Sequence, residues 1–62
     1  MDYEIFKRQI RAELRGHKKG LTWTEIKRHL KLKQKVPNNK WVHLLEQDIG
    51  LIRSNGIWSL KR

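Results

Sequence analysis

Asn55-Gly56 limits what this chain can become more than any other pair of residues in it. Both residues tolerate the positive φ of a type I′ turn, and between two apolar runs such a pair forms the loop of a β-hairpin. Leu51-Ile52-Arg53-Ser54 precedes it and Ile57-Trp58-Ser59-Leu60 follows. A two-residue loop sets the register, with Ser54 opposite Ile57, Arg53 opposite Trp58, Ile52 opposite Ser59 and Leu51 opposite Leu60. Leu51, Trp58 and Leu60 then share a face, and Arg53 lies across from Trp58, where it can stack. A lone hairpin is marginal in water, so that face needs helices to cover it.

The preceding residues have a helical period. Tyr3, Phe6, Ile10 and Leu14 recur at three- and four-residue spacing, which predicts an amphipathic helix over 2–15. Asp2 and Glu4 begin it, Arg15 ends it, and Gly16 is expected to stop it in the left-handed conformation. Lys7, Arg11 and Arg15 form a basic row read as a solvated face. After the turn His17-Lys18-Lys19-Gly20, Thr22 and Glu25 have the spacing of a capping box, and Leu21 can staple onto Ile26. A second helix over 22–31 follows, with Trp23, Ile26 and Leu30 inward. The basic connector Lys31–Val36, anchored by Leu32, ends at Pro37. Asn38 or Asn39 then caps a third helix over 38–49, whose apolar face is Trp41, Val42, Leu45 and Ile49, with Leu44 at its margin. Gly50 stops it.

A 62-residue chain without cysteine has room for one thin core and no disulfide or Cys-based zinc site to reinforce it. No apolar run approaches the ~20 residues that cross a bilayer, and Met1-Asp2-Tyr3-Glu4 lacks the order of a secretion signal. An intracellular location is expected, cytoplasmic or nucleoid-associated, or nuclear in a eukaryote. No helix is left over for a dimer interface, so a monomer is expected.

Fifteen Lys and Arg against six Asp and Glu leave a net charge of +9, a self-repulsion that a polyanion relieves. From Ile26 to Leu45 there is no Asp or Glu, yet Lys27, Arg28, Lys31, Lys33, Lys35 and Lys40 all fall there. These six are the phosphate-contact candidates, giving affinity without sequence information. Enzymatic readings fare poorly. Glu46 and Asp48 are two apart, hence on different helix faces, and His17, His29 and His43 are scattered with no evident carboxylate or Cys partner. No catalytic residue, metal site, cofactor or small-molecule substrate is expected. Trp23, Trp41 and Trp58 are in phase with apolar stripes, which favours core packing over stacking on unpaired bases. Trp58 is expected to close the hairpin onto the first and third helices.

The order helix, helix, helix, hairpin resembles the winged helix-turn-helix family over essentially the whole chain. The matching stretches are Gly20-Leu21-Thr22-Trp23-Thr24-Glu25-Ile26, Trp41-Val42-His43-Leu44-Leu45-Glu46, and Gly50-Leu51-Ile52-Arg53 running into the short wing. The connector departs from the pattern, being longer than the 3–4-residue turn of a tight helix-turn-helix. The resemblance implies an α+β fold of three helices with a C-terminal two-stranded β-hairpin wing. It also implies binding of double-stranded DNA, with the third helix in the major groove and the wing on the backbone or minor groove. The residues suit that role. Asn38, Asn39, His43 and Gln47 lie opposite the apolar face and have the chemistry to read base edges. Arg53 and Asn55 occupy the wing, where an arginine in a narrow minor groove favours A·T-rich duplexes through shape. The expected function is that of a non-catalytic transcriptional regulator or chromatin-like protein. Two other classes remain open, an RNA or single-strand binder and a protein-interaction module.

Overall fold

A computed structural model describes residues 2–61. Three polar side chains mark where the chain turns helical. Asp2 accepts from the Ile5 N–H at 3.0 Å and opens α1 (Tyr3–Arg15). Thr22 and Glu25 form the reciprocal capping box of α2 (Trp23–Leu30), and Asn38 accepts from the Trp41 N–H at 3.1 Å to open α3 (Asn39–Asp48). Each helix buries one stripe: Phe6, Ile10 and Leu14 from α1, Ile26 from α2, Val42 and Leu45 from α3. Among the described residues no helix is long and apolar enough to cross a membrane.

Two helix ends differ from expectation. Gly16 is right-handed, with φ −80° and ψ −7°. The reason lies one residue on, where His17 Nδ1 is 3.0 Å from the Glu13 carbonyl oxygen and the backbone continues in tight turns. The Glu13 carbonyl is thus met by both the Gly16 N–H and a ring nitrogen, and no left-handed cap is needed. A non-glycine residue is left-handed at the end of α2, Lys31 (φ 57°). The Lys31 N–H donates to Arg28 and the Leu32 N–H to Lys27, the paired bonds of a Schellman motif. Leu32 is thereby turned inward and buried.

β2 (Leu51–Ser54) and β3 (Ile57–Leu60) pair in the expected register across a turn whose two residues, Asn55 and Gly56, both have positive φ. The sheet nevertheless has three strands rather than two. β1 (Leu21–Thr22) pairs antiparallel with β3, Leu21 opposite Trp58 and Thr22 opposite Ile57, in the order β1-β3-β2. Gly20 permits this approach. Its φ is +89°, and a Cβ there would lie 2.6 Å from both Ile57 Cγ2 and the Trp58 carbonyl oxygen.

The core joins the helical stripes to Leu21, Leu32, Leu51 and Trp58, with no buried polar residue among those described. Trp58 is 3% exposed and stacks on Trp23 of α2, ring centroids 5.3 Å apart, so the hairpin closes onto α2 as well as meeting α1 and α3. Trp41 packs against Phe6 at 4.9 Å and edge-on to Tyr3 at 5.7 Å. The Tyr3 hydroxyl donates to Asp48 at 2.6 Å, and burial together with that bond raises its pKa well above the ordinary 10.0. Trp58→Ala removes the contact shared by β1, β2 and α2, and should cost about 3–5 kcal/mol in denaturant unfolding. An unchanged unfolding midpoint would mean that the sheet is held by other contacts.

Candidate nucleic-acid interface

The connector between α2 and α3 has no regular structure, yet it is fastened at both ends. Leu32 is buried at one end. At the other, the Trp23 indole Nε1 donates to the Lys35 carbonyl oxygen at 3.1 Å. The backbone is thus held while Lys31, Lys33 and Lys35 are all exposed. A shallow groove between them is lined by Lys31, Leu32, Lys33 and Gln34. Arg28 is exposed and Lys27 half-buried in the last turn of α2, and Lys40 is exposed in the first turn of α3. All six phosphate-contact candidates therefore lie on α2, the connector or the start of α3.

Helix α3 carries its charges against its own dipole. α1 and α2 have Glu4 and Glu25 in their first turns, whereas α3 has no acid there and carries Lys40. At its other end stand Glu46 and Asp48. Each mismatch costs typically 0.3–1 kcal/mol, and the result is an uncompensated positive start next to the cationic connector. Glu25 shows the opposite, favourable case. Bonds from the Thr22 backbone N–H and hydroxyl hold its carboxyl below the ordinary value of 4.5, so this cap contributes stability that is lost as acid protonates it.

Asn39, His43 and Gln47 are four residues apart and all exposed, so they form one outward stripe on α3. Asn38 is exposed too, but its side-chain oxygen caps the helix, taking the acceptor that a bidentate adenine contact uses. Arg53 and Asn55 are exposed on the hairpin, and the Arg53 guanidinium lies 5.9 Å from the Trp58 ring centroid.

The stretch that lacks acids in sequence does not lack them in space. Glu46 Oε1 is 3.3 Å from His43 Nδ1, and Glu13 Oε2, from α1, is 3.0 Å from His29 Nδ1. His17 Nδ1 lies 3.8 Å from the same Glu13 oxygen. The histidines therefore have carboxylate partners, contrary to the expectation from sequence, and His17 and His29 belong to one cluster. The three-residue spacing of His43 and Glu46 carries the first contact. The Glu13–His29 contact spans sixteen residues and has no local signal.

No protein-family model matches this chain, and no curated protein or solved structure is significantly similar to it.

Lys31 combines a strained backbone with a place in the candidate surface. Lys31→Gly should raise stability by up to about 1 kcal/mol, since glycine adopts the left-handed conformation freely. If this surface holds phosphates, the same variant should bind duplex DNA more weakly, with a salt dependence shallower by about 0.9. Greater stability with unchanged affinity would remove Lys31 from the interface.

Proposed function

We propose that this chain is a winged-helix-type module that binds double-stranded DNA without catalysis, as a regulator or chromatin-like protein does. The observation that carries this reading is the fastened connector, with Lys31, Lys33 and Lys35 exposed beside an α3 start that has no acid in its first turn. A phosphate backbone completes that surface, because it supplies the negative charge the helix start lacks. In this reading α3 lies in the major groove, presenting Asn39, His43 and Gln47 to base edges, and Arg53 and Asn55 reach the flanking backbone or minor groove.

The packing of the aromatic residues favours duplex over unpaired strands. Trp58 is buried, and Trp23 and Trp41 are half-buried with a face or edge against another ring. Proteins that hold single strands instead offer such rings to the bases. Among the described residues the large apolar side chains in solvent are Ile5, Val36 and Ile52, on α1, the connector and β2 respectively. Their distribution over three elements argues less for a protein-binding face than for a polyanion-binding one.

Four to six phosphate contacts give a slope of log K against log[salt] of roughly −4 to −5. Duplex titrations at several salt concentrations measure it, with single strands of equal length as the weaker competitor. A slope shallower than about −2 would falsify the duplex-binding face, and absence of binding to any nucleic acid would favour the protein-interaction reading.

Positioning and reading contacts separate in a second comparison. Lys33→Ala should weaken A·T-rich and G·C-rich duplexes alike. His43→Ala should change the preference between them, each good base contact being worth ~1–3 kcal/mol of discrimination. The orientation fails if Lys33→Ala shifts the preference while His43→Ala lowers both affinities equally.

A further inference from the structure

We infer that Glu13, His17 and His29 form a binding site for a divalent transition-metal ion of the zinc class. Glu13 lies in α1, His17 just past its end and His29 in the last turn of α2, so the donors converge from both sides of the turn leading into β1. One donor atom from each residue lies within 4.8 Å of the other two. Glu13 Oε2 is 3.0 Å from His29 Nδ1 and 3.8 Å from His17 Nδ1. Zinc bonds of 2.0–2.2 Å at tetrahedral angles separate neighbouring donors by about 3.3 Å, a value between these two distances. His17 is in a turn rather than in the helix, so a small rotation there closes the remaining gap, exchanging the Nδ1 contact with the Glu13 carbonyl oxygen, which keeps the Gly16 N–H, for the ion.

The chemistry of the donors selects the class of ion. Two imidazoles and one carboxylate suit zinc and its neighbours, whereas calcium and magnesium require mainly oxygen. In the metal-free chain a hydrogen lies between Glu13 Oε2 and His29 Nδ1; with the neutral ring carrying its proton on Nε2 instead, the ion takes that place between the two side chains. All three side chains are partly exposed, at 25% for Glu13, 43% for His17 and 35% for His29, so water has access to the fourth position. The +9 charge of the chain opposes a cation. That repulsion is long-range and is screened beyond ~8 Å at physiological salt, while the inner-sphere bonds are not. A bound ion would cross-link the end of α1 to α2, which otherwise meet through the thin core and the single Glu13–His29 contact.

Zinc and, separately, cobalt as a visible-absorption probe are titrated into the full chain, with imidazole NMR and thermal unfolding as readouts. One equivalent should shift the His17 and His29 ring resonances, leave those of His43 in place, and raise the unfolding midpoint. Glu13→Gln and His29→Gln should each weaken binding on the order of 10-fold or more and abolish the rise in midpoint. Both variants change partly exposed side chains, and their metal-free circular dichroism should match that of the parent chain, which separates loss of a ligand from loss of the fold. The site is overturned if all three histidines shift alike, if either variant binds as tightly as the parent, or if one equivalent leaves the spectra unchanged. None of these outcomes depends on DNA binding.

Discussion

The stack of Trp58 on Trp23 connects the parts of this protein that a nucleic acid would touch. Arg53 lies over the Trp58 ring on its hairpin, and the Trp23 indole holds the Lys35 carbonyl on the connector. Two indole rings 5.3 Å apart therefore link the β2–β3 hairpin to the basic connector. β3 carries Trp58 and is the central strand, so β1 and β2 are both positioned from it. In a domain this small, few other contacts could tie the hairpin to an irregular, charged connector.

Holding them matters because the charge distribution opposes folding. A net +9 on 62 residues repels itself, and α3 adds local conflict by placing Lys40 at its positive end and Glu46 and Asp48 at its negative end. The Tyr3 hydroxyl offsets part of this by donating to Asp48. Lys40 has no such relief from an acid in the first turn of its helix. A local rule broken without internal compensation is what a binding surface looks like before its partner arrives.

How much of this was legible depended on the range of the signal. The hairpin register followed from two residues, and the cap of α2 from a four-residue pattern, because each is a local contract between side chain and backbone. The third strand was not legible. A two-residue pairing has no alternation to detect, and the need for glycine at position 20 comes from Ile57 and Trp58, far along the chain. Gly16 was expected to be left-handed by residue type and is not, whereas Lys31 at the end of α2 is, because burying Leu32 outweighed the preference for glycine. Within the candidate site, the exposure of the connector lysines was readable from composition. The indole bond to Lys35 that holds them was not.

The His43–Glu46 contact bears most on how α3 would read DNA in the proposed orientation. Sequence shows a twenty-residue window without acids, but Glu46 reaches back to His43 in space. A carboxylate beside Nδ1 favours the tautomer with its proton on that nitrogen, which leaves Nε2 of the neutral ring as an acceptor. An outward acceptor pairs with the amino groups of adenine or cytosine, whereas the N7 and O6 of guanine need a donor. In the proposed orientation of α3, a single carboxylate three residues away thus decides which base edges the neutral His43 ring could pair with.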